Sequence, residues 1–226
     1  MPAKNVVKTY INNGIYHIYN RGVEKRKIFQ DKQDYNIFLN YIKEYLSPPP
    51  DISQLKTQFI LQGETFKGLR RLPRNYYKKI TLIAYCLLPN HFHLLINQNS
   101  TDDMQEFIRS LCTRYSIYFN KKYDRVGGLF QGPYKAVIVT EDNYLLHLSR
   151  YIHLNPKDYT KDIINTYSSY AEYMGLRRTE WVKPDIVLGF FNNPATQELI
   201  KTNNYRDFVE KYIKDSEAIL GNMTLE

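Results

Sequence analysis

No apolar run in this 226-residue chain approaches the ~20 residues that a bilayer-spanning helix needs, so nothing in it reads as a membrane segment. The opening residues, MPAKNVVKTY, lack a continuous apolar core and a small-residue cleavage site, which argues against a secretory leader. Cysteine is scarce. Cys86 and Cys112 both sit among apolar residues, where buried thiols are expected rather than a disulfide framework or a zinc site. Also missing is any cluster of acids of the kind that two-metal nucleases use. These absences together point to a cytoplasmic protein.

What the chain has in quantity is tyrosine and positive charge. There are 21 tyrosines, and the formal net charge is +8 with a pI near 9.2. The charge is uneven. Residues 1–98 hold 15 lysines and arginines against 6 acids, whereas residues 99–226 hold 16 against 17. One basic surface facing a polyanion fits that asymmetry better than a uniformly charged exterior. Aromatic side chains interleaved with basic ones make stacking platforms for unpaired bases, although many of these tyrosines will be amphipathic residues at the core edge.

Hydrophobic periodicity supplies the elements. Ile15–Tyr19 is short, β-branched and aromatic, and Asn20-Arg21-Gly22 ends it as a strand. Between Asp31 and Leu46, apolar residues recur at three and four, which predicts an amphipathic helix stopped by Pro48-Pro49-Pro50. Residues 47–78 have no clear period and read as an insertion whose last part, Lys67 to Lys79, is strongly basic. Ile80–Leu88 and His91–Asn97 flank a Pro89-Asn90 turn as a hairpin. A long helix is expected from Asp102 to Tyr123, a strand at Lys135–Val139, and a helix from Glu141 to about Leu154. That last helix should stop there, because Asn155 precedes a proline and such residues avoid helical geometry. Beyond it, Tyr205–Ile213 is the clearest helical piece. The order β-α-β-β-α-β-α matches a split βαβ, ferredoxin-like unit of the α+β class, with an antiparallel sheet, helices on one face and a helical C-terminal extension.

Two constellations carry chemistry. In His91-Phe92-His93, strand alternation sends both imidazoles to one side and Phe92 to the other, so the pair can close on one divalent cation. An isolated H-x-H is more often two half-exposed histidines on a solvated face. On the helix that follows the last strand, Tyr144, His147, Tyr151 and Asn155 form a stripe beside the apolar one of Leu145, Leu148 and Ile152. Taken alone it is an aromatic edge packing on a sheet. Together with the basic first half, the two suggest phosphodiester chemistry. A phenol with a pKa near ~10 needs help to become a nucleophile. A cation at His91 and His93, with Asn155 as a third, neutral ligand, would supply it. Neutral ligands with a substrate phosphate completing the shell favour Mg²⁺ or Mn²⁺.

Four segments occur in the order seen in one family: Tyr16-His17-Ile18-Tyr19-Asn20-Arg21-Gly22, Leu88-Pro89-Asn90-His91-Phe92-His93-Leu94-Leu95, Gly128-Leu129-Phe130-Gln131-Gly132 and Tyr151-Ile152-His153-Leu154-Asn155-Pro156. Each is weak singly. As a set the chain resembles the HUH single-tyrosine transposases, in particular the REP-associated tyrosine transposase branch, over about residues 10–175. The resemblance implies a single-stranded DNA endonuclease and strand transferase that cuts beside a hairpin through a covalent 5′-phosphotyrosine. It implies Tyr151 as nucleophile, His91, His93 and Asn155 as metal ligands, and a domain of residues 1–175 with the 47–78 insertion, followed by an extension, 176–226. Arg21, Arg70, Arg71, Arg74, Lys78, Lys79 and Lys135 are the expected DNA contacts. A place beside the nucleoid and a state that is either monomer or helix-swapped homodimer go with that reading. One departure stands out: Pro133 follows Gln131-Gly132 where the family usually has Arg, which removes a charge and a backbone donor.

Other readings remain. A domesticated, catalytically silent protein that binds DNA or RNA hairpins would keep the same motifs. An RNA-binding module of the same topology would carry aromatics on its exposed central strands, where this chain has histidines. A two-histidine phosphodiesterase would need a second histidine motif, and His17, His147 and His153 form none. Tyr134 and Tyr144 compete with Tyr151 for the nucleophile's role.

Overall fold

The computed structural model describes residues 9–51, 56–69, 74–192 and 202–211. Its centre is a four-stranded antiparallel sheet in the order β4-β5-β1-β6, formed by β1 (Ile15–Arg21), β4 (Ile80–Leu88), β5 (His91–Gln98) and β6 (Lys135–Val139). β1 lies inside the sheet, pairing with β5 on one side and β6 on the other. This is the strand arrangement expected of the split βαβ unit. It brings the motif near residue 17 beside the motif near residue 92.

Each face of the sheet has its own core. Helices α1 (Lys32–Leu46) and α2 (Asp103–Lys122) cover the face that presents Tyr16, Ile18, Leu82, Phe92 and Leu94. Asp31 caps α1 in a reciprocal box with Asp34, which fixes its start. The opposite face, with Cys86 and Leu95, is covered by α3 (Asp142–Leu154) and by the C-terminal pieces α4 (Tyr170–Tyr173), α5 (Asp185–Leu188) and α6 (Tyr205–Glu210). Leu145, Leu148 and Ile152 of α3 are the predicted stripe, and all three are buried there. Each contributes about 1.5–3 kcal/mol relative to exposure. The helices thus occupy both faces: α1 and α2 share one, as the alternation predicts, and the tyrosine-bearing α3 takes the other.

Two expectations need correction. The 47–78 segment is not structureless, because β2 (Lys56–Leu61) and β3 (Glu64–Leu69) pair there as a separate two-stranded sheet. Its turn residues Gln62 and Gly63 both have positive φ, 53° and 87°, as a tight two-residue hairpin turn requires. The α-helix bearing Tyr151 ends at Leu154 as expected, but not because Asn155 leaves helical geometry. Asn155 keeps helical angles (φ −50°, ψ −38°), and the chain continues as a 3-10 turn through Asp158 with the proline in its first turn. Proline lacks only an N–H that a starting turn leaves unpaired, so the disfavoured angle at Asn155 is tolerated.

Candidate functional site

β5 begins directly after the Pro89-Asn90 turn, so His91 and His93 stand at one end of the sheet. Phe92 is fully buried against α1, and both histidines are on the α3 face. Their rings lie 5.0 Å apart at 83° to each other. His91 is half-buried, and its Nδ1 is 2.6 Å from Asn90 Oδ1. If that nitrogen donates, Nε2 keeps its lone pair outward. His93 has no exposure to solvent, its Nδ1 is 2.9 Å from His17 Nε2, and its Nε2 has no hydrogen-bond partner. Burial, and then the Arg21 charge, push the His91 imidazole down to about 4. Burial, followed by its neighbours His17 and His91, holds His93 well below the usual histidine range. Both rings are therefore neutral near pH 7, the form that binds cations.

Tyr151, on α3, lies against His93 and His17. Its half-buried ring meets His93 edge-on at 5.6 Å and His17 at 6.3 Å between centroids. The helix belongs to the same chain as the histidines. One turn on, Asn155 donates from Nδ2 to the Tyr151 carbonyl at 2.7 Å, which leaves its amide oxygen as the atom suited to a cation. His147, on the predicted polar stripe, does not join the group: it sits against Phe208 of α6 and beside Arg150. His153 is turned away too, buried between Tyr205 and Ser169 with both ring nitrogens in hydrogen bonds. Of the competing phenols, Tyr134 packs on the α1/α2 side with Tyr10 and lines a cavity there with Arg109 and Cys112. Burial, then the bond to Tyr10, push its pKa up, which makes it a poorer nucleophile. Tyr144 borders the core beneath α3.

The loop after α2 is stitched to the end of β1. Val23 N donates to Leu129 O at 3.0 Å and Gln131 N to Arg21 O at 2.8 Å, while Arg21 Nε reaches Gln131 Oε1 at 2.5 Å. Gly22 lets the turn after β1 fold back closely, since a Cβ there would fall 2.2 Å from the Arg26 carbonyl oxygen. Arg21 is thereby held opposite His91 in the ladder, and Lys135, opposite Tyr19, lies 5.8 Å over that ring. The other basic residues are elsewhere. Lys78 and Lys79 precede β4 at the sheet end remote from His91, about 25 Å along the strands. Lys79 and Arg74 are paired with Asp103 and Glu106 of α2 at 3.6 and 3.3 Å. Arg70 and Arg71 fall outside the described residues.

Among the described residues no group of three His, Cys, Asp or Glu side chains is placed to hold a metal ion. The candidate donor set is instead two imidazoles and an amide, with one imidazole nitrogen buried and unsatisfied. An unpaired polar atom in a dry interior is costly, and a cation is one partner that would satisfy a lone pair there. In that respect the residues fit. No helix among the described residues is long and apolar enough to cross a membrane.

Residues 57–155 match the family model described as IS200-like transposase. No curated protein matches the chain. Among solved structures, a REP-associated tyrosine transposase bound to a REP hairpin is similar at 11% identity, with a TM-score of 0.49, covering 78% of this chain and 95% of its own. A putative transposase from Deinococcus radiodurans R1 is similar at 13% identity, with a TM-score of 0.36, covering 67% and 95%.

Proposed function

We propose that the chain, whose residues 57–155 match the family model of IS200-like transposases, cuts and rejoins single-stranded DNA beside a hairpin, with Tyr151 as nucleophile. The observation that carries this reading is the convergence of Tyr151 with His93, ring to ring at 5.6 Å, beside an imidazole nitrogen that has no protein partner.

In the proposed reaction the Tyr151 oxygen attacks the scissile phosphorus. The new O–P bond forms as the bond to the 3′ oxygen breaks, leaving a 5′-phosphotyrosine and a free 3′-hydroxyl. The phenolic proton passes to water, and the departing 3′ oxygen takes one up, so charge balances. One phosphodiester replaces another, and the reverse attack by a 3′-hydroxyl rejoins strands without an external energy source. A divalent cation, Mg²⁺ or Mn²⁺, held by His91, His93 and Asn155, would polarise the phosphate and stabilise charge on the leaving oxygen. Arg21 and Lys135 would hold phosphates flanking the cut, as charged donors do. Arg74, Lys78 and Lys79 would touch only DNA that runs the length of the sheet, while Arg70 and Arg71 are proposed as contacts from the sequence alone. Residues 1–175 then form the working unit, with residues 176–226 as an extension. Tyr151 and the histidines meet within one chain, so this reading needs no exchange of helices between protomers.

The test uses end-labelled single-stranded hairpins with randomised flanks and Mn²⁺. A protein–DNA adduct that survives denaturation is expected from the natural chain and should fall to background in Tyr151→Phe. An undiminished adduct in that variant removes Tyr151 from the mechanism. Hairpin binding without any adduct would favour the silent binding protein.

A further inference from the structure

His17 is the buried imidazole that this chemistry leaves without a task. It sits in the middle of β1 with no exposure, and its register partner on β5 is Leu95. His93, two residues along on the same face, is its diagonal neighbour. The rings stack at 15° with centroids 5.1 Å apart, and His17 Nε2 faces His93 Nδ1 at 2.9 Å. A hydrogen-bonded imidazole pair in a dry interior shares one proton along that line. The other His93 nitrogen, Nε2, is buried with no partner.

A third metal ligand is the obvious alternative role. Cis nitrogens ~2.1 Å from an octahedral cation stand about 3.0 Å apart, so the 2.9 Å between His17 Nε2 and His93 Nδ1 is not what separates the two roles. A cation between these atoms would take His93 Nδ1 and leave its buried Nε2 still without a partner, whereas a proton between them leaves Nε2 for the cation. We propose that His17 is a positioning residue: it accepts the Nδ1–H of His93, which fixes the ring and its tautomer so that Nε2 presents a lone pair to the cation. This rests on the proposed function, in which His93 is a ligand. Ligating histidines that donate their second N–H to a fixed acceptor bind metal better, and loss of such an acceptor costs 10–100-fold in affinity as an order of magnitude. His17 then carries its own proton on Nδ1.

The experiment compares the natural full chain with His17→Leu and His17→Gln. Mn²⁺ affinity is read from the paramagnetic resonance of free Mn²⁺, and the His93 tautomer from ¹⁵N imidazole shifts of the metal-free natural chain. Expected are a proton on His93 Nδ1, a 10–100-fold weaker Mn²⁺ affinity in His17→Leu, and recovery to within a few-fold in His17→Gln, whose amide oxygen can accept the same proton. A proton on Nε2 of His93, equal affinity in His17→Leu, or no rescue by Gln each overturns the role of His17. If His17→Leu does not fold, the tautomer and the Gln variant still decide. A natural chain that binds no Mn²⁺ overturns the metal reading of His91 and His93 itself, a different result.

Discussion

Asp34 is the clearest case of a single side chain holding elements together. It has no exposure, and its carboxylate accepts from Lys122 Nζ at 2.8 Å, the Gln30 amide at 2.8 Å, Tyr118 at 2.9 Å and Tyr123 at 2.8 Å. Burial alone would raise its pKa, but the bonds from Lys122, Gln30, Tyr123 and Tyr118 outweigh it and leave the group below the ordinary 3.8. A depressed carboxylate contributes stability in full above its unfolded value and loses it as pH falls through the lower folded value. Urea midpoints should therefore show little loss from this group between pH 7 and 5 and decline below about 4. Asp34→Asn should cost on the order of 2 kcal/mol at neutral pH and make the acid decline shallower. An unchanged acid decline in that variant would dismiss Asp34 as its source. At this scale the placement of the candidate residues was legible where a motif has a spacing: His91 and His93 alternate on a strand, and Tyr151 and Asn155 are one turn apart. His17 carried no such signal. Its partner lies 76 residues away, and only the pairing of β1 with β5 brings them together.

Among the elements, α1, α2 and α3 begin and end within a residue or two of where periodicity puts them, because each buries a continuous apolar stripe. The β2–β3 hairpin was not legible for the opposite reason. Phe59, Ile60, Leu61 and Phe66 are exposed, so among the described residues the hairpin shows no buried face to impose alternation, and Gln62-Gly63 is a muted turn signal. The C-terminal helix is secured by polar contacts that no period encodes. Tyr205 of α6 bonds to His153 at 2.7 Å and to Ser149 at 3.0 Å, both on α3. Tyr205→Phe should cost about 1–3 kcal/mol, because it leaves a buried imidazole nitrogen unsatisfied. Chemical denaturation would measure the loss, and a neutral result would mean that packing alone retains the extension. The histidine in the Tyr151–Pro156 motif is thus a fastening for α6.

For the whole molecule, the uneven charge seen in the sequence resolves into two ends of one sheet. Arg21 and Lys135 sit beside the histidines, whereas Lys78 and Lys79 sit at the far end. On a single-stranded oligonucleotide too short to span about 25 Å, Arg21→Ala should weaken binding and lower the slope of log affinity against log salt by about 0.7. Lys79→Ala should leave that slope unchanged. Anisotropy titrations across a salt series would read both, and the reverse ranking would place the DNA at the other end of the sheet. Thr140 and Glu141 alone separate β6 from α3, and among the described residues β6 is an edge strand paired only with β1. So short a tether gives the helix of the proposed nucleophile almost no room to swing unless the rim of the sheet peels away with it. In the proposed reaction a DNA end joined to Tyr151 would stay moored there, and the second strand would have to travel to it.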